Sequence, residues 1–121
     1  MPVIANALVG LVALLHAWFL VLEMFLWTKP LGLKTFGQTL EKAQTSAVLA
    51  ANQGLYNGFL VAGLVWGLCH PDRDFGFQLK AFFLGCVIVA GAYGAYSVSR
   101  RILFVQAVPA AIALALLVAS R

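Results

Sequence analysis

Four apolar stretches of about 20 residues each, separated by short polar connections, constrain this chain more than any other feature. A helix rises about 1.5 Å per residue, so such a stretch crosses about 30 Å of hydrocarbon. The stretches run over about 3–27, 46–69, 79–97 and 102–119. They predict an all-α fold: an integral membrane four-helix bundle with antiparallel up-down topology. Nothing outside them is long enough for a second unit, so residues 1–121 read as a single transmembrane domain.

Composition removes the soluble alternatives. Of 121 residues, 63% are hydrophobic and 10% charged, with a mean hydropathy of +0.95. Soluble domains are about 45–50% apolar and about 25% charged, and short chains bury the smallest share of their surface. A soluble enzyme, a disordered tail and a free nucleic-acid-binding domain are thereby excluded. The first stretch lacks a cationic leader and exceeds the roughly 7–15 apolar residues of a signal peptide, so it reads as a retained span. Cys69 and Cys86 form no C-x-x-C or zinc spacing and read as small membrane-buried hydrophobes.

The connections fall at about 28–45, 70–78 and 99–101. The first and third lie on one side and carry Lys29, Lys34, Lys42, Arg100 and Arg101; Arg73, Lys80 and Arg121 lie on the other. Cations favour the cytoplasmic side. The expected location is therefore a bacterial inner membrane with both termini outside the cytoplasm. Trp27 and Trp66, near span ends, fit the interfacial aromatic belt. Within the first connection, residues 34–43 read either as a short interfacial helix with Phe36 and Leu40 on one side or as a plain tether.

Polar side chains inside spans are costly and face the bundle interior. The first span carries His16 and Glu23, seven residues apart and within about 20° on one face. The second carries Asn52, Gln53, Tyr56 and Asn57 within an arc of about 140°. Beside that arc runs a small-residue stripe, Ala50, Gly54, Gly58 and Ala62, of the kind that admits a neighbouring backbone. Tyr93 and Tyr96 come late in the third span and Gln106 early in the fourth. By depth, His16 and Asn57 lie near the middle of their spans and Glu23, Asn52, Gln53, Tyr93, Tyr96 and Gln106 in the cytoplasmic half of the bilayer, while the outer halves are almost purely apolar. A polar pocket closed on one side, centred on Glu23, is the expectation.

Each of these groups has a plainer rival role. Asn52, Gln53, Asn57, Gln106 and His16 can serve as hydrogen-bonding glue between helices, and the tyrosines as packing. Glu23 stands apart, because an intramembrane carboxylate is a functional hypothesis by default. His16 and Glu23 are about 10 Å apart along one helix, too far to share a metal ion. No H-E-x-x-H, G-x-S-x-G, phosphate-binding loop or dinucleotide fingerprint is present. Neither a metal nor a cofactor is expected.

Three segments carry a resemblance. HAWFLVLEMFLWTKP in the first span, VLAANQGLYNGFLVAGLVWGL in the second and ILFVQAVPAAIAL in the fourth resemble a family of small four-helix bacterial membrane proteins. That family is catalogued as domain of unknown function 1304. The resemblance covers nearly the whole chain and implies an integral inner-membrane protein, with no reaction or ligand attached. His16, Glu23, Asn52, Gln53, Asn57 and Gln106 all lie in those segments. The chain is also similar in size and in its first-helix glutamate to small multidrug resistance transporters. The long first connection and the His16/Asn/Gln set depart from them, so this second likeness concerns architecture alone.

The leading functional expectation is binding or transport of a small cationic or amphipathic solute, coupled to protons at Glu23. The alternatives are a membrane-embedded enzyme acting on a lipophilic substrate, with Glu23 or His16 as acid–base, and an accessory subunit. Expected partners are the lipid bilayer, such a solute and further copies of the chain, with no nucleic acid.

Overall fold

The computed structural model describes residues 2–97 and 100–121. Met1, Val98 and Ser99 lie outside them, and with Ser99 the start of the third expected connection. The described residues form α1 (Pro2–Met24), α2 (Pro30–Phe36), α3 (Leu40–Cys69), α4 (Arg73–Ser97) and α5 (Arg100–Ala119). All but α2 are long and apolar enough to cross a membrane. The protein is an all-α bundle of four such helices.

Packing runs in a ring: α1 against α3, α3 against α4, α4 against α5, and α5 back against α1. The α1–α3 pairing is the most extensive. Ala5, Val9, Val12, Ala13 and His16 form the buried stripe of α1, at the three- and four-residue spacing that keeps side chains on one helical face. The four apolar ones, Ala5, Val9, Val12 and Ala13, cluster with Leu64 of α3, Leu84 and Val87 of α4, and Ala110, Ala113 and Leu117 of α5. This core fills the half of the bundle nearer the start of α1. Glu23 and Asn57 occupy the other half.

Local signals explain the helix ends. Thr39 accepts a hydrogen bond from the Lys42 backbone N–H at 3.2 Å, capping α3 six residues before the second apolar stretch begins. Asp72 accepts one from the Phe75 N–H at 3.0 Å. The second connection thereby shrinks to residues 70–72, against an expected 70–78. A side-chain oxygen that satisfies a free first-turn N–H starts a helix ahead of its apolar segment.

The helix considered over residues 34–43 is displaced. α2 begins at Pro30, with a proline in its first turn, and stops at Gly37, whose φ of 62° is left-handed. Glycine adopts that conformation without steric cost and so ends helices. Leu40 to Ala43 are the first turn of α3 instead. Trp27, in the connection after α1, ties α2 to α3: its ring lies 4.8 Å from that of Phe36 on α2, and its Nε1–H donates to Ser46 Oγ of α3 at 3.1 Å.

α5 contains one π-helical turn, Leu103–Ala107, closed where the Val108 N–H reaches back to the Leu103 carbonyl. Its cause is Pro109, which has no N–H to give and whose ring crowds the carbonyl of Val105, four residues earlier. The wider turn absorbs that conflict.

Candidate functional site

Two polar pairs cross the interior, both from α1. The Nδ1 of His16, which is fully buried, donates to the Val12 carbonyl at 2.8 Å. A carbonyl only accepts, so Nδ1 carries the proton. The Gln106 side-chain amide lies against the other ring nitrogen, with Nε2 to Nε2 at 3.1 Å. The amide nitrogen donates there, and the ring is a neutral imidazole with both nitrogens engaged. Phe19 meets the ring edge-on, with centroids 5.2 Å apart.

The second pair lies about two turns further along α1. Asn57, buried on α3, donates through Nδ2 to Glu23 Oε1. Glu23 is half-buried, and among the described residues no second hydrogen bond reaches its carboxyl group. α3 approaches α1 closely here because Gly54 has no side chain: a Cβ would meet Met24 Cγ at 2.6 Å and Glu23 Cβ at 3.2 Å.

The remaining candidates do not join these pairs, so the expected convergence of all four helices into one pocket is corrected to two separate pairs. Asn52, Gln53 and Tyr56 are exposed on α3. Ala50, Gly54 and Asn57 form its buried face in this region. Asn52 and Tyr56 are each two residues from Gly54, about 200° around the helix, and so point away from it. Gln53 lies about 100° off. Tyr93 and Tyr96 are exposed on α4, Tyr96 almost entirely at 90%. The small-residue stripe departs in the same way: Ala50 and Gly54 are buried, Gly58 is half-buried, and Ala62 faces outward.

One polar contact went unread in the sequence. Lys80 Nζ donates to Asn6 Oδ1 at 2.8 Å, joining α4 to α1 at the end of the bundle opposite Glu23. Its signal was a lysine two turns inside an apolar helix, which needs a polar partner or a route to the interface.

Among the described residues no three His, Cys, Asp or Glu side chains gather as a metal site would require. With its proton on Nδ1 and its lone pair taken by Gln106, His16 is set to hold α1 to α5. Glu23 keeps acceptor capacity to spare, since a carboxylate offers two oxygens and about four lone-pair positions and Asn57 engages one of those oxygens.

Comparison with known proteins adds the family. A family model described as protein of unknown function (DUF1304) matches residues 10–118. The chain belongs to that family. The DUF1304 match encloses His16, Glu23, Asn57 and Gln106, hence both interior pairs. An uncharacterised protein, YpaA of Lactococcus lactis subsp. lactis (strain IL1403), is 27% identical over 108 residues. The aligned part covers 88% of this chain and 89% of YpaA. No solved structure matches the chain.

Proposed function

We propose that this DUF1304 protein binds a small cationic or amphipathic solute at Glu23 and carries it across a bacterial inner (plasma) membrane, with a proton exchanged at the same carboxyl group. The observation that carries the reading is the setting of Glu23: half-buried on a membrane-length helix and hydrogen-bonded to one neutral amide. A carboxylate in such a place has acceptor positions for a cation or a proton, and intramembrane carboxylates mark solute and proton paths. Orientation with both termini outside, from the distribution of Lys and Arg, belongs to the same proposal.

The test uses the purified chain in proteoliposomes with tetraphenylphosphonium as a lipophilic cation probe. Saturable binding, and accumulation that follows an imposed pH gradient, are expected. Glu23→Gln should abolish both while remaining folded. Absence of saturable binding together with absence of gradient-driven movement sinks the reading.

One observation favours a second role, that of an accessory subunit. Among the described residues, every buried polar side-chain atom already has a partner within the chain, as expected if these groups only fasten helices. That role predicts co-purification with a larger protein, and loss of stability rather than binding on substitution of the polar residues.

A further inference from the structure

At the end of the bundle opposite Glu23, the start of α1, the start of α4 and the end of α5 enclose a cavity of about 400 Å³. Three of the chain's eight cations line it, Arg73, Lys80 and Arg121, with Asp74 as the one acid. The lining side chains thus sum to three positive charges less one negative, a surplus of two.

The cations are arranged rather than merely present. Lys80 passes its stem beside Gly67, where a Cβ would meet Lys80 Cγ at 2.7 Å. Its ammonium group donates to Asn6, leaving two further N–H groups to give. The Arg121 guanidinium lies over the Phe77 ring, 4.2 Å from its centroid, so its rim of N–H donors stays available to an anion. Lys80 lies seven residues, about 10 Å, inside α4 from Arg73. The donors are therefore stacked in depth from the helix end towards the hydrocarbon.

We propose that this cavity binds a phosphate-bearing anion at the membrane surface. The phosphodiester headgroup of an anionic phospholipid is the source that the position favours. Arginine offers a planar fork and lysine a point charge, both suited to phosphate oxygens. Basic pockets between transmembrane helices hold anionic headgroups on the cytoplasmic side, and the same charge pairing serves on the outer face, where the proposed orientation puts this cavity. Phe77 and Leu117 on the cavity wall give acyl chains an apolar continuation. The site is independent of the proposal for Glu23, which lies about 25 Å away along α1.

The experiment is native mass spectrometry of the full chain in a neutral detergent, with phosphatidylglycerol, phosphatidylcholine or inorganic phosphate added. One retained phosphatidylglycerol is expected, in preference to phosphatidylcholine. Each cation removed, in Lys80→Gln and Arg121→Gln separately, should weaken that retention about fivefold, the worth of one surface cation towards an anionic headgroup. Lys80→Arg should keep it. Arg121→Gln lies past the end of α5, so it tests the site even if Lys80→Gln fails to fold. Retention of inorganic phosphate alone, lost in the same variants, would identify a free anion as the ligand. Equal retention of all three additives by wild type and by Arg121→Gln would overturn the site.

Discussion

Gln106 reaches His16, ninety positions earlier in the chain, from within the π-helical turn of α5. A regular α-helix through Leu103–Ala107 would rotate Gln106 by about 100°, the angle of one residue, relative to the Pro109 end. The proline thus sets the aim of a side chain three residues before it. Because the amide supplies a donor to the unprotonated nitrogen, the two side chains form a matched pair inside the bundle.

A matched pair is worth less than the damage done by breaking it, since an orphaned buried partner bears a desolvation penalty. Gln106→Leu and His16→Leu should each lower unfolding free energy in mixed micelles by about 1–2 kcal/mol. The double variant should lose less than the sum of the two. Strict additivity in that cycle would show that the side chains do not interact.

Glycines divide by what faces them. At Gly54 a side chain would strike Met24, the Glu23 Cβ and the Leu20 carbonyl, and at Gly91 the Ala107 backbone nitrogen at 2.7 Å. At Gly85 there is nothing within 4 Å. Gly54→Leu and Gly91→Leu should prevent assembly or lower the thermal midpoint sharply. Gly85→Ala should be neutral or stabilising by about 0.5–1 kcal/mol, the helix-propensity difference. Thermal unfolding in detergent checks all three, and a stable Gly54→Leu variant would mean that α1 and α3 do not approach closely there.

These contrasts also mark how far the sequence could be read. The apolar runs made the four membrane-length helices legible, and His16, Glu23, Asn57 and Gln106 stood out as polar residues within them. Their division into two pairs was not legible, because depth along each helix was readable while rotation about it was not. The 140° arc of α3 mixed Asn57, which faces α1, with Asn52, Gln53 and Tyr56, which do not. Thr39 and Asp72, as capping residues ahead of apolar runs, held the true starts of α3 and α4. Pro109 was the local sign that α5 is irregular at Gln106.

Thr39 supports α3 well outside its apolar segment, where little packing helps. Thr39→Ala removes the acceptor of the Lys42 N–H and should cost about 1 kcal/mol. The loss should appear as faster amide exchange confined to the first turns of α3. Uniform exchange throughout α3 would show that the cap contributes nothing locally.

The proposed orientation rests on five cations on one side and three on the other. A reporter fused after Arg121 should be active only if it functions outside the cytoplasm. Moving the bias, with Lys34→Gln and Lys42→Gln together, should produce a mixed population. Cytoplasmic activity of the unaltered fusion would reverse the orientation and place the Arg73/Lys80/Arg121 cavity on the inner face.

The Glu23–Asn57 pair separates fastening from function. In Glu23→Gln the new side chain keeps a carbonyl oxygen at the same reach, which can accept from Asn57 Nδ2 as the carboxylate does. Stability should therefore fall by less than about 0.5 kcal/mol, within the small net worth of one hydrogen bond inside a membrane. Glu23→Leu removes the acceptor and leaves the buried Asn57 amide unsatisfied, at about 1–2 kcal/mol. The two variants share the loss of charge and differ in the bond. If Glu23 serves a solute or a proton, both abolish probe binding although only one is destabilised. Should binding of tetraphenylphosphonium survive in Glu23→Gln and fail only in Glu23→Leu, the carboxylate charge is not what the solute meets, and the pair acts by holding α1 to α3.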